Sequence, residues 1–319
     1  MLPGERVIKT IKHENRDRMP LYGWLDNNEF KPKLEKHFGS IQNFEDKYEF
    51  DLVHLSSGVD PFNWELINKE EKPIEPELLL DIPLTDPHTA DYSKLKADIA
   101  FYKESRGRFT YIQTPGFFEC YNGPFGIQEH LMNLLIYPNE IKELYKRQAE
   151  WTKKFASNVL ELGIDMIHLS DDWGAQKSLL FSPAVFKDLI YPFHCDVVQY
   201  VKKAGGFASL HSDGNISSVL SDIVKIGYDV IHPFQESAGM DLSQFKSDYM
   251  DKFTVMGGID VQSTLGFNDY GRLEGEIRRI ISQFKNKGLI LCTTHKVQPH
   301  CEIEELIFAY DLICKLIRE

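Results

Sequence analysis

The 319-residue chain has few of the features that mark several large classes of protein. Its five cysteines are an odd number without a Cys-x-x-Cys pair, which argues against a disulfide framework and suits a reducing cytosol. The formal net charge is −12, and lysine and arginine do not cluster into a basic stripe. We therefore expect no nucleic acid and no anionic membrane as a partner. No apolar run approaches the roughly 20 residues that cross a bilayer, and residues 1–20 contain no apolar signal region. We therefore expect a soluble, cytoplasmic protein.

Several catalytic and nucleotide-binding motifs are also absent. The chain has no Gly-x-x-x-x-Gly-Lys-Ser/Thr, Gly-x-Gly-x-x-Gly, Gly-x-Ser-x-Gly or His-Glu-x-x-His. These absences argue against nucleotide-binding proteins, serine hydrolases and zincins. What the chain does have is the composition of a globular enzyme with a sizeable core, 42% hydrophobic and 26% charged residues.

Eight short runs rich in β-branched and aromatic residues predict strands, and segments of helical periodicity separate most of them. The predicted strands cover residues 19–24, 51–56, 109–114, 165–171, 207–213, 229–235, 253–260 and 288–295. Eight strands alternating with helices over about 300 residues predict an α/β fold, a (β/α)8 TIM barrel. A doubly wound sheet is the alternative, although no glycine-rich dinucleotide-binding turn follows the first strand. We interpret residues 1–319 as one domain, in which residues 58–108 form an insertion with short helices after the second strand.

Polar residues collect at the carboxyl ends of these strands, where a (β/α)8 barrel carries its chemistry. Asp171 is the last residue of the fourth predicted strand and Asp172 follows it, and Asp260 is the last residue of the seventh. We expect Asp171 or Asp172 to be catalytic, with helix capping as the alternative, and a turn as the alternative for Asp260. A set rich in Asp, His and Gln indicates a polar substrate, a metal ion, or both.

Residues 207–213 provide the most specific signal. Side chains alternate along a strand, so Ser209, His211 and Asp213 share one face, which we expect to point into the mouth of the barrel. Imidazole nitrogen and carboxylate oxygen are both zinc ligands, and His295 at the end of the last strand is the best third ligand. The alternatives are a packing role for the histidine and a helix-capping role for Asp213.

Five segments in order resemble the uroporphyrinogen decarboxylase superfamily: residues 171–174, 210–216, 227–235, 257–260 and 288–295. The resemblance extends over essentially the whole chain and implies a (β/α)8 barrel. Decarboxylases of this family have an arginine-rich N-terminal motif that binds the carboxylates of the substrate. The matching residues 19–28 contain no arginine, so we reject decarboxylation of a porphyrinogen as the leading activity.

The resemblance points instead to the corrinoid-dependent methyltransferases of the superfamily. Their zinc is held by a His-x-Cys pair and a later Cys, which correspond here to His211, Asp213 and His295. Oxygen and nitrogen thus replace sulfur, and such a site is better matched to an oxygen ligand than to a thiol.

We therefore expect a zinc-dependent methyltransferase that moves a methyl group from a small methoxylated, perhaps aromatic, donor to a corrinoid protein. Asp171 or Asp260 would orient the substrate or supply a proton, and Trp24, Trp173 and Gln235 would shape the pocket. Three alternatives remain open at this point: methyl transfer from methylcobamide to a thiol, a decarboxylase-like lyase acting on a smaller substrate, and a non-catalytic binding protein.

Overall fold

The structure is a computed structural model that describes residues 1–70, 74–285 and 287–319. Parallel strands alternate with helices along the chain. The strands are β1 (Leu52–Leu55), β2 (Phe109–Pro115), β3 (Met166–Ser170), β4 (Phe207–His211), β5 (Val230–His232), β6 (Thr254–Ile259) and β7 (Leu289–Thr293). The α-helices are α1 (Pro3–Ile11), α2 (Lys31–Phe38), α3 (Ile41–Lys47), α4 (Trp64–Ile67), α5 (Pro76–Asp81), α6 (Ser93–Ile99), α7 (Phe118–Phe125), α8 (Ile127–Ile136), α9 (Pro138–Glu161), α10 (Pro183–Val185), α11 (Tyr191–Lys203), α12 (Leu220–Ile226), α13 (Leu242–Asp248), α14 (Tyr270–Phe284) and α15 (Ile303–Leu316).

The α/β class is confirmed, and seven of the eight predicted strands are present in the described residues. The prediction of an eighth strand at residues 19–24 is not confirmed, because Leu21 makes only an isolated parallel bridge with Leu291. Two features shorten the pairing, one within the segment and one from a residue far along the chain. Pro20 has no N–H to donate, and the N–H of Leu21 donates to the Asp51 carboxylate at 2.8 Å.

The contacts of the chain divide it into two compact units. The first unit consists of Met1–Val53, Tyr102–Phe109 and Val230–Glu319, and the second of His54–Phe101 and Thr110–Asp229. The predicted single domain and its insertion are not tested by this division and remain predictions.

In the second unit, β2, β3 and β4 pair in parallel in chain order. The register places Pro115 opposite Ser170, and Ser170 opposite His211, so the three strands end at one edge. All five residues of β3 are buried, as expected for a parallel strand covered on both faces. Helices α7, α8 and the long α9 connect β2 to β3, and α11 packs against α9.

In the first unit, β5, β6 and β7 also pair in parallel in chain order. Helix α14 leads from β6 to β7 and contacts α15, which follows β7. A buried ionic cluster joins the first turns of the chain to β1: Arg6 and Arg18 both bind Asp51, and Arg6 also binds Asp17.

The predicted insertion, residues 58–108, contains the short helices α4, α5 and α6, although residues 71–73 lie outside the described residues. Its contact with α9 is specific. Arg147 of α9 donates to the carbonyl oxygens of Leu80 and Ile82 at 2.6 and 2.8 Å. None of the described helices is long and apolar enough to span a lipid bilayer.

Candidate active site

The carboxyl ends of β3 and β4 place histidine and serine side chains on one face of the sheet in the second unit. His168 Nδ1 lies 2.6 Å from Ser209 Oγ on the neighbouring strand, and the rings of His168 and His211 are 5.8 Å apart. The alternation predicted for residues 207–213 thus agrees with the position of Ser209 and His211. The ladder continues past β3, because the N–H of Asp171 donates to the His211 carbonyl at 2.9 Å.

Directly after these strands, two carboxylates lie beside the His211 ring. His211 Nε2 is 3.7 Å from Asp172 Oδ1 and 3.9 Å from Asp213 Oδ1. One ligand atom from each of the three residues fits within 4.8 Å of the others. His211 is buried, whereas Asp172 and Asp213 are each about one-third exposed, so a small ion or ligand can reach the group.

The main chain fixes the spacing of the two aspartates. The N–H of Asp213 donates to Asp172 Oδ1 at 2.8 Å, and the N–H of Trp173 donates to Ser212 Oγ at 2.9 Å. The next residues approach even more closely: a Cβ on Gly174 would lie 2.6 Å from the N of Asn215, and closer still to the Asp213 carbonyl oxygen. Only glycine at position 174 permits this contact between the segments that carry the aspartates.

A further carboxyl group, Glu119, stands at the start of α7. Its Oε2 accepts a hydrogen bond of 2.8 Å from Ser170 Oγ. Burial raises the pKa of Glu119 to about 7, and the charges of Asp172, Asp171 and Asp213 act in the same direction. Burial, followed by the charge of Asp172, also raises the pKa of Asp213 to about 7.

Negative charge is therefore concentrated at this edge without a strong counterion. Burial raises the pKa of Asp172 as well, and the neighbouring Asp171 adds to that effect. Among the described residues, no lysine or arginine forms an ion pair with Glu119, Asp171, Asp172 or Asp213. The site is thus suited to a cation, which would relieve the repulsion between the carboxylates.

Asp171 lies on the opposite side of the chain from this cluster and is fully buried. Its Oδ1 accepts from the Glu119 N–H at 2.7 Å, and its Oδ2 lies 2.8 Å from both Trp173 Nε1 and His194 Nε2. His194 in turn bonds the Tyr228 hydroxyl through Nδ1 at 2.6 Å. The carboxylate is a buried anchor that holds the neighbouring Asp172 and Glu119 backbones in place.

Comparison with known proteins identifies the family. The family model for uroporphyrinogen decarboxylase (URO-D) matches residues 123–315. The chain belongs to the uroporphyrinogen decarboxylase family. The resemblance noted in the sequence is thereby confirmed, and the cluster around His211 lies within the part of the chain that matches.

Solved structures agree with a uroporphyrinogen decarboxylase-type fold. A methyltransferase from Methanosarcina mazei is 14% identical, with 99% of both chains covered and a TM-score of 0.73. A B12-independent methionine synthase from Shewanella sp. W3-18-1, in complex with selenomethionine, is 13% identical over 94% of this chain and 93% of that one, with a TM-score of 0.55. At such identities the likeness concerns the fold alone. No curated protein matches the sequence.

Four residues predicted for the site of this family member lie in the first unit. Trp24 stacks on His232 with ring centroids 4.7 Å apart, and its ring is 6.0 Å from that of His295. Gln235 is buried in the segment after β5. Asp260 occupies a turn, where its Oδ1 accepts from the N–H groups of residues 262 and 263, and it lines a cavity of about 340 Å³ in the first unit.

Trp173, predicted to shape the pocket, is fully buried, and its indole N–H donates a hydrogen bond to Asp171. The sequence analysis did not single out Glu119, and it considered Asp172 only as an alternative to Asp171. Period-two alternation could have found Asp172, since His168, Ser170 and Asp172 share one face and Leu169 and Asp171 the other. No comparable pattern points to Glu119, which enters the site from a loop and the first turn of a helix.

Proposed function

We propose that this member of the uroporphyrinogen decarboxylase family is a zinc-dependent methyltransferase that moves a methyl group from a small methoxylated donor to a corrinoid protein. The observation that supports the proposal most directly is the group of Asp172, His211 and Asp213, whose potential ligand atoms lie within 4.8 Å of one another. The fold shared with a methyltransferase is compatible with this activity.

The donor set fits zinc. It offers one imidazole nitrogen and two carboxylate oxygens, and all three are ligand types that zinc accepts. The raised pKa values of Asp172 and Asp213 also favour a bound cation, because a cation shared by two carboxylates offsets their mutual repulsion. His295, the remaining predicted ligand, belongs to the first unit and stays a prediction.

A bound zinc ion would supply a Lewis acid that stabilises negative charge on the oxygen released from the methoxy group. Glu119 is the carboxyl group of this chain best suited to donate a proton to that oxygen. The proton would be on Oε1, because Oε2 already accepts a hydrogen bond from Ser170. In the metal-free chain, where its pKa is about 7, Glu119 is protonated in a large fraction of molecules at neutral pH. Asp171 contributes by position only, because its two oxygens accept from three donors.

Oxygen and nitrogen ligands favour donor demethylation over methyl transfer to a thiol, because thiol activation is better served by a softer, thiolate-rich site. A corrinoid held by a partner protein would supply the acceptor for the methyl group, while residues of this chain would bind and orient the donor.

The first test is the metal content of protein purified without chelators or a metal-affinity tag, measured by mass spectrometry. We expect about one zinc per chain, lost in His211→Ala, as for a site with a single mononuclear ligand set. The control is His37→Ala, which changes an exposed histidine of α2 and should leave the zinc content unchanged. Absence of metal from the wild-type protein, even after reconstitution with zinc, would refute the zinc-dependent mechanism.

The second test is methyl transfer from a panel of methoxy compounds to a reduced corrinoid protein. Transfer that requires His211 supports the proposal. Methyl transfer from methylcobalamin to thiols, or release of carbon dioxide without any corrinoid, would assign the chain to one of the other two enzymatic alternatives.

A further inference from the structure

Helix α8, in the second unit, presents apolar side chains to solvent. Its exposed residues include four large hydrophobic side chains: Ile127, Met132, Leu135 and Ile136, which are 50, 43, 72 and 60% exposed. These are four of the ten large hydrophobic side chains that are exposed in the described part of the chain. The remaining exposed residue of this ten-residue helix is Gln128. In a surface helix that contacts only its own protein, the apolar face ordinarily points inward.

The face of α8 that packs against the protein is partly polar instead, with His130 and Asn133 both buried. His130 Nδ1 lies 2.9 Å from Asn122 Oδ1 of α7, and His130 Nε2 lies 2.8 Å from the Tyr145 hydroxyl of α9. The ring of Phe118 stacks on that of His130, with centroids 4.8 Å apart. These contacts with two neighbouring helices fix the rotation of α8 about its axis, so its apolar side is held outward.

The spacing of these side chains suits packing against another helix. Ile127, Leu131 and Leu135 are four residues apart, and so are Met132 and Ile136 in the adjacent row. Residues at this spacing are neighbours on a helix surface and form a ridge. Such a ridge packs into the groove between two ridges of a second helix.

The amount of exposed apolar surface is close to what a stable dimer needs. The four side chains together expose on the order of 400 Å² in one copy, which is within the range of the largest apolar patch on a monomer. A standard interface buries about 800 Å² per partner, and about 65% of a homodimer interface is apolar. A dimer of that size therefore needs about 500 Å² of apolar surface from each chain, and α8 supplies most of it.

The charge of α8 favours a second copy of the chain over a lipid surface. The helix contains no lysine or arginine, and its one acidic residue is Glu129. Helices that lie on membranes have basic residues beside the apolar face, which α8 lacks. An uncharged apolar face can meet the same face of another copy without repulsion between like charges.

We infer that this protein forms a homodimer in which the exposed face of α8 packs against the same face of a second copy about a twofold axis. The inference goes beyond the proposed function and does not depend on it, because no residue of α8 belongs to the candidate metal site. In a twofold interface each contact occurs twice, so one substitution in α8 changes both sides of the interface.

Sedimentation equilibrium of the full chain without a tag tests the inference. We expect the wild type to have twice the mass of one chain at about 10 µM. Leu135→Glu should raise the dissociation constant of the dimer at least about 100-fold, because one charge enters the apolar contact from each copy. Leu135→Gln removes apolar surface without adding a charge and should raise it about tenfold. The matched control is Leu2→Glu, since Leu2 is also exposed but lies outside α8, and this change should leave the dissociation constant as it is.

Circular dichroism confirms that each variant is folded, as expected for changes at exposed positions. The inference is overturned if the wild type is a monomer at about 100 µM, if folded Leu135→Glu associates as tightly as the wild type, or if Leu2→Glu weakens association equally. Should Leu135→Glu not fold, the comparison of Leu135→Gln with Leu2→Glu decides in the same way. A monomeric wild type that cosediments with phosphatidylcholine vesicles would assign the face to a membrane and refute the homodimer.

Discussion

Replacing Asp171 with asparagine separates two roles for this residue, contact with the substrate and support of its neighbours. The buried carboxylate accepts from Glu119 N, Trp173 Nε1 and His194 Nε2 at 2.7–2.8 Å. An asparagine side chain has one acceptor oxygen and one NH₂ group. In one orientation the NH₂ group faces the Glu119 N–H, and in the other it faces the two ring nitrogens.

The magnitude follows from these contacts. At least one hydrogen bond to a charged group is lost, worth about 1.5–3 kcal/mol, and a donor is left facing a donor. We expect Asp171→Asn to lower the free energy of unfolding by about 2–4 kcal/mol. With a slope of about 3 kcal/mol per molar urea, the unfolding midpoint falls by about 1 M.

Equilibrium unfolding in urea, followed by tryptophan fluorescence, measures the effect. Asp172→Asn is the matched control: Asp172 is about one-third exposed, and asparagine retains an acceptor for the Asp213 N–H. Because Asp172 is also a proposed zinc ligand, both variants are compared with the wild type as metal-free protein, and there the stability of Asp172→Asn should stay within about 0.5 kcal/mol of the wild type. If Asp171→Asn unfolds at the wild-type urea concentration while methyl transfer is lost, Asp171 is a catalytic residue and our interpretation of it as an anchor is wrong.

Two further predictions concern titration and close packing. Because folding raises the pKa of Glu119 and Asp213 to about 7, each binds more protons in the folded protein than in the unfolded chain, so metal-free protein should lose stability as the pH rises from about 4 to 7. Thermal unfolding across this range should show a shallower decline in Asp213→Asn, and an equal slope in that variant would contradict the assigned cause. Gly174→Ala should weaken zinc binding in a competition titration, because a Cβ there would force apart the segments that carry the aspartates. Gly275→Ala, where a Cβ meets nothing within 4 Å in α14, should bind zinc normally and gain about 0.5–1 kcal/mol of stability; equal zinc affinities of the two variants would contradict this view of the site.

The sequence predicted those features that depend on a local pattern, either the alternation of side chains along a strand or a short run of apolar residues. Alternation along residues 207–213 placed His211 on the face that it shares with Ser209, and apolar runs located seven strands. The segment 19–24 failed as a strand for a reason that lies far away in the chain: the carboxylate of Asp51 takes the N–H of Leu21 that a longer ladder would need.

The candidate site was less predictable because it depends on where the chain turns after each strand. Asp171 and Asp172 are neighbours with the same side chain, yet one is buried against Trp173 and His194 and the other stands beside His211. Glu119 reaches the cluster only because the backbone after β2 bends back so that its N–H meets Asp171. Such a bend is set by packing across the strands, which local sequence patterns do not encode.

The two segments that meet at Gly174, residues 172–175 and 212–215, form a main-chain frame around the site. This frame also affects which substitutions the site can accept in evolution. Its hydrogen bonds, Asn215 N to Ala175 O at 2.8 Å and Trp173 N to Ser212 Oγ at 2.9 Å, involve neither the imidazole of His211 nor the carboxylate of Asp213. A substitution at position 213 therefore replaces one donor atom while the frame and His211 keep their places. Softer or harder ligands, and with them different ions and reactions, become accessible by single substitutions. The frame is the constant part of the site, and the side chain at position 213 is the part that can be exchanged.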